Sequence, residues 1–188
     1  MSARCTRLGI FAASLLAMLT AAVTVFARYD LRLALSDSAV PVGVYRFTSL
    51  HSPPIRGQLV GACLPLTLSV VALDRGYVHA SSHSECPAEA PPVGKLALGL
   101  PGDTLEVEPD GVTINGLRLA NSASAERDSR GRPLGHVPWG ARHVNADEVW
   151  LFGFKDAHSW DSRYYGPLPL GAVRWVVTPV LTLGASKP

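Results

Sequence analysis

Between Arg7 and Arg28 the chain carries no charged side chain, and from about Leu8 to Ala27 it is apolar apart from a few hydroxyls. About 20 such residues span the hydrocarbon core of a bilayer as a helix, so this stretch sends the chain to the membrane before anything else about it is read. A cleavable signal peptide is the rival reading, and Val25-Phe26-Ala27 would suit a small-residue cleavage site. The run exceeds the roughly 7–15 residues of a signal peptide's apolar region, which favours an uncleaved anchor. Arg4 and Arg7 then stay on the cytoplasmic side, as the positive-inside bias requires, and everything after Arg28 is exported. The expected division is 1–28 as membrane anchor or signal sequence and 29–188 as one exported domain.

Seventeen Lys and Arg against fifteen Asp and Glu give a net charge of +2. No basic stripe stands ready to neutralise a phosphate backbone, so nucleic acid is not an expected partner. Gly-rich phosphate loops, heptads and internal repeats are missing too, and no cofactor is implied. After the anchor the chain reads as short β segments between turn signals. Val42–Thr48, Gln58–Leu64, Lys95–Leu98, Thr104–Glu108, Val112–Ile114, Glu148–Phe152 and Val173–Thr178 are the predicted strands. Asn115-Gly116 predicts a hairpin turn, since both residue types accept the positive φ of a type I′ turn. No long helical periodicity follows the anchor, so the exported part is expected to be mainly β with long loops.

Of the three cysteines, Cys5 sits at the edge of the anchor and only Cys63 and Cys86 are exported. An exported pair suggests a disulfide. A metal site is the competing reading, because His79 and His83 are four apart near Cys86. The stretch between them reads as loop, and the cysteine spacing matches no usual zinc pattern.

Three segments could carry chemistry together. Ser36-Asp37-Ser38-Ala39-Val40-Pro41-Val42-Gly43-Val44-Tyr45 follows the anchor; taken alone, Ser and Asp before Pro usually make a turn or cap. Lys95-Leu96-Ala97-Leu98-Gly99-Leu100-Pro101-Gly102-Asp103 opens an apolar segment with a lysine, where most lysines would be solvated. Ser159-Trp160-Asp161-Ser162-Arg163 would otherwise pass for a polar loop with an Asp–Arg pair. Six histidines also allow a Ser-His-Asp triad, but none stands in a nucleophile context such as Gly-x-Ser-x-Gly. His158 beside Ser159 reads as a loop histidine.

In order and form these segments resemble the type I signal peptidases, whose motifs are Ser-x-Ser followed by two residues and Pro, a lysine strand ending in Gly-x-Pro-Gly-Asp, and Ser-x-Asp-Ser-Arg. Arg56-Gly57-Gln58-Leu59-Val60 is similar to the family's intervening strand, with Gln58 where an acid is common. Asp37 for the frequent Gly and Ala39 for the frequent Met are departures that remove no reacting atom. Pro41–Tyr45, Arg75-Gly76-Tyr77, the pair Cys63 and Cys86, and Gly131-Arg132-Pro133-Leu134 resemble the TraF-type conjugal transfer peptidases within that family.

The resemblance implies a signal-peptidase-like antiparallel β-sheet catalytic domain with one N-terminal transmembrane helix. It implies Ser38 as nucleophile, Lys95 as general base, Ser159 as the group orienting the lysine, and Asp161 with Arg163 as the pair fixing that loop. The Ser38 backbone N–H and the Ser36 hydroxyl would face the oxyanion. A serine hydroxyl needs a base within hydrogen-bond reach, and a lysine serves only if burial lowers its pKa. The expected function is a serine endopeptidase at the periplasmic face of the bacterial inner membrane. It would process, or cyclise, an exported pilin precursor during conjugal plasmid transfer, together with other transfer components. The alternatives are a general type I signal peptidase and a non-enzymatic membrane-anchored component of the transfer apparatus.

Overall fold

The computed structural model describes residues 2–34, 40–153 and 158–183, with residues 2–9 described by backbone alone. Helix α1 spans Ser2–Arg28. Its stretch Ile10–Arg28 is long and apolar enough to cross a membrane, and none of it is buried against the rest of the protein. Arg28 lies in its last turn, where a cation favours the negative end of the helix dipole. Asp30, at a φ of 48°, then reverses the chain into the first strand.

The strands are β1 Leu31–Ala34, β2 Gly43–Ser49, β3 Gln58–Ala62, β4 Val93–Gly99, β5 Thr104–Glu108, β6 Gly111–Ile114, β7 Leu117–Arg118, β8 Gly140–His143, β9 Glu148–Phe152, β10 Leu168–Pro169 and β11 Val173–Thr182. They form a seven-stranded sheet in the order β1-β2-β11-β3-β4-β9-β10 and a four-stranded sheet in the order β7-β6-β5-β8. Every recorded strand pairing is antiparallel. The mainly antiparallel β fold with one N-terminal apolar helix agrees with the expectation.

Strand β9 joins the two sheets. Successive side chains of a strand point to opposite faces, so Val149 and Leu151 enter a core with Val60, Ala62, Leu64, Ala97, Leu168 and Val173. Trp150 and Phe152 enter the other, with Leu105, Val107, Val112 and Ile114. The predicted hairpin is present: Ile114 faces Leu117 across Asn115 and Gly116, at φ 50° and 79°.

Helix α2, Leu66–Asp74, was not expected. Only Ser69 and Ala72 of it are buried, while Leu66, Val70 and Val71 are exposed. Its apolar residues therefore follow no single face, and periodicity could not reveal it. Strands β1, β8 and β10 were missed because they are short and carry few strand-forming residues in alternation.

Cys63 and Cys86 form the disulfide. It closes an excursion between β3 and β4 that contains α2. With Cys86 so engaged, the metal reading loses a ligand; His79 and His83 are exposed, and no cluster of three or more metal-ligating side chains occurs among the described residues.

Candidate active site

Lys95 lies on β4, in the interior of the seven-stranded sheet between β3 and β9. Burial alternates along the strand, with Lys95, Ala97 and Gly99 buried. The lysine thus shares a face with its cross-strand neighbour Val60, and only 6 % of it is exposed. An amine without water must find a protein partner. Its Nζ donates to Ser159 Oγ at 2.6 Å. Burial pushes the Lys95 pKa down from 10.5 to about 8; the nearby Asp161 carboxylate works against this and the Arg163 guanidinium adds to it.

Ser159 is 1 % exposed, and Asp161, Ser162 and Arg163 have no exposed surface. Asp161 caps the short helix α3, Ser162–Tyr165, by accepting from the Arg163 backbone N–H. Its carboxylate also accepts from Gly153 N–H at 2.9 Å, which ties α3 to the end of β9. The Ser162 hydroxyl accepts from Leu151 N–H at 2.9 Å. Arg163 pairs with Asp161 and also donates to the carbonyls of Ala123, Gly153 and Ser159 at 2.6, 3.2 and 3.3 Å. A guanidinium with a rigid fan of donors suits this task as an ammonium would not. It satisfies three carbonyls, two of them of the buried residues Gly153 and Ser159, and Ser159 is the residue that accepts from Lys95.

Ser36 and Ser38 lie outside the described residues. Strand β1 ends at Ala34, and the described chain resumes at Val40. The Tyr45 hydroxyl, on β2, donates to the Pro41 carbonyl at 2.7 Å, so the strand tethers the chain a few residues after Ser38. His158 is exposed.

A family model described as signal peptidase, peptidase S26, matches residues 5–178. The chain belongs to that family. A probable conjugal transfer protein TraF of Sinorhizobium fredii is 33 % identical over 178 residues, covering 93 % of this chain and 88 % of that protein. A plasmid transfer protein TraF of Escherichia coli is 32 % identical over 148 residues, covering 78 % of this chain and 80 % of its own length. A solved signal peptidase I from Enterococcus faecalis aligns at a TM-score of 0.39 and 20 % identity, over 68 % of this chain and 98 % of that one.

In this signal peptidase family member the Gly-x-Pro-Gly-Asp motif is architecture. Pro101 and Gly102, the latter at a φ of 87°, occupy the centre of a turn closed by Asp103 N–H to the Leu100 carbonyl at 3.0 Å; Pro then Gly is the type II signature. The Asp103 carboxylate accepts from Leu100 N–H, Arg56 and Asn115 at 2.6, 2.6 and 2.8 Å. Burial works to raise its pKa, but the bonds from Arg56, Leu100 and Asn115 prevail and hold it below the usual carboxylate range. Arg56 also donates to the Leu98 carbonyl, bracing the strand that carries Lys95. The role of Arg56 was not read from sequence, and neither was that of Tyr77 and Trp160, whose rings meet with centroids 5.2 Å apart. Tyr77 stands in the Arg75-Gly76-Tyr77 segment and Trp160 in the Ser159-Trp160-Asp161-Ser162-Arg163 segment, and neither has an assigned purpose there.

Proposed function

We propose that this signal peptidase family member is a membrane-tethered serine endopeptidase with Ser38 as nucleophile and Lys95 as general base. The observation that carries this reading is the buried Lys95 amine held by Ser159. A lysine with a pKa of about 8 offers the free amine, near neutral pH, roughly a few hundred times more often than an exposed one.

In acylation the Ser38 hydroxyl oxygen attacks the scissile carbonyl carbon while its proton passes to Lys95 Nζ. The Ser38 backbone N–H and the Ser36 hydroxyl donate to the oxyanion. As the carbon–nitrogen bond breaks, Lys95 returns the proton to the departing amine and leaves an acyl ester on Ser38. Water then attacks to give a linear product, or the substrate's own amino group attacks to give a cyclic one. Ser159 aims the lysine, and Asp161 with Arg163 hold the loop that carries Ser159.

The TraF relatives support a place in conjugal transfer, with an exported pilin precursor as substrate and other transfer components as neighbours. The apolar α1 supports anchoring in the inner membrane, with residues 29–188 as the peptidase domain on the periplasmic face. Only about ten residues separate the end of the apolar run from Ser38, so the nucleophile works within roughly 40 Å of the anchor. That range suits a substrate whose own membrane segment brings the bond to the same face.

Co-expression with the pilin of the same locus tests the reading. Ser38→Ala and Lys95→Ala should each abolish processing while the protein stays folded and membrane-bound, because the two act as a unit. Near-normal processing by either variant overturns it. Mass spectrometry of the product separates the two outcomes of deacylation, since a cyclic product weighs one water less than the linear one. Protease added to spheroplasts should digest the domain from Arg28 onward.

A further inference from the structure

Two segments outside the proposed chemistry meet in the fold. Arg75 and Tyr77 lie just after α2 inside the disulfide-closed excursion, and Asp128, Arg132 and Pro133 lie in the connection between β7 and β8. The Tyr77 hydroxyl donates to Asp128 Oδ2 at 2.9 Å and accepts from Arg75 Nη1 at 3.2 Å. Arg75 reaches the Pro133 carbonyl at 2.9 Å, and Arg132 returns a bond to the Arg75 carbonyl at 2.7 Å. Asp128 is 6 % exposed. Arg132 Nε donates to it at 2.7 Å, and the backbone N–H groups of Arg130 and Arg132 donate at 3.0 and 2.9 Å. The tyrosine hydroxyl is therefore attached to a carboxylate that cannot itself move far.

The ring at the other end of that tether touches the residue that follows Ser159. Tyr77 packs on Trp160 with centroids 5.2 Å apart, and Trp160 meets Tyr165 edge-on at 4.9 Å. Trp160 directly follows Ser159, whose Oγ receives the Lys95 bond. Large aromatic faces in contact resist sliding and set ring orientation. The indole thus contacts both a ring tethered to Asp128 and a ring of α3. The Arg163 contact to the Ser159 carbonyl, at 3.3 Å, is a long one.

We propose that Tyr77, tethered to Asp128, is a positioning residue that sets Ser159 against Lys95 by clamping Trp160. The inference rests on the proposed roles of Lys95 and Ser159 and extends them to a residue about eighty positions away in sequence. Its purpose follows from the chemistry: a base displaced by about 1 Å can lose ~10² in rate, and a serine on a loop needs support from outside that loop.

The test uses the full-length protein in detergent with a synthetic precursor peptide. Tyr77→Phe keeps the ring and removes the tether; it should lower kcat about tenfold with KM and thermal midpoint near those of the unaltered protein. Trp160→Ala should lower kcat by about 10², and Trp160→Phe should recover part of that. In a Ser159→Ala background Tyr77→Phe should have no further effect, because coupled residues are non-additive. An unchanged kcat for Tyr77→Phe overturns the proposal. So does a loss that adds in full to that of Ser159→Ala, or one that tracks the thermal midpoint. If Ser159→Ala itself keeps full kcat while Ser38→Ala is inactive, the role of Ser159 fails, and the inference falls with it. If Ser159→Ala is impaired and Tyr77→Phe is not, only the inference falls.

Discussion

Arg163 grips Asp161 twice, Nε to Oδ1 at 2.9 Å and Nη2 to Oδ2 at 2.8 Å, where neither side chain has any exposed surface. Removing one member of such a pair strands the other charge in the interior, at a cost of roughly 3–5 kcal/mol. Asp161→Ala is therefore expected to lower the unfolding free energy by about that amount, read from denaturant titration. Arg163→Lys should not restore what Arg163→Ala loses, because an ammonium cannot reproduce the paired fork. A loss below about 1 kcal/mol for Asp161→Ala would contradict the pairing as the element that holds α3.

The rate of acylation should rise with pH and level off above about 8, following the amine of Lys95. Only the neutral amine can take the Ser38 proton, so the rising limb reports its deprotonation. Single-turnover rates across the pH range check this. A rate that levels off already in the acidic range would point to a carboxylate or histidine base instead.

Burying the lysine should be visible in stability as well. Its pKa is lowered from 10.5 to about 8 on folding, so below about pH 8 both states carry the proton and the folded state bears the full cost of the buried ammonium. Between about 8 and 10.5 the unfolded chain binds more protons, and stability rises with pH. Relative to Lys95→Met, the protein should gain about 3 kcal/mol across that window. Parallel stability curves for the two proteins would remove Lys95 from the interior.

The disulfide between Cys63 and Cys86 spans a sequence separation of 23 residues. The chain-entropy model gives such a closure about 3 kcal/mol. Replacing both cysteines by serine should lower unfolding stability by that order, and protein from the periplasmic face should show the bond intact in non-reducing peptide maps. Free thiols there would contradict export of the domain.

Ser36→Ala removes a proposed oxyanion donor while sparing nucleophile and base. Turnover should fall by ~10²–10³ without vanishing. An unchanged rate would take Ser36 out of the site.

What the sequence determined by itself is what local rules can encode. The unbroken apolar run predicted α1, alternation and turn residues predicted Thr104–Glu108 and Glu148–Phe152 at their observed bounds, and Asn115-Gly116 announced its hairpin. Motif order named Lys95, Ser159, Asp161 and Arg163 before any geometry was known. It could not show that Lys95 and Ser159, separated by 64 residues, lie 2.6 Å apart, nor that the lysine is dry enough to lose its proton easily. Those facts depend on which strands neighbour β4 and what covers its face, and a residue's burial is a property of the assembled core. The same holds for Arg56 on Asp103 and for Tyr77 on Trp160. Each is a contact between segments whose separate sequences carry no mark of the partner, so only the tertiary fold, by bringing them within bonding distance, decided what those side chains do.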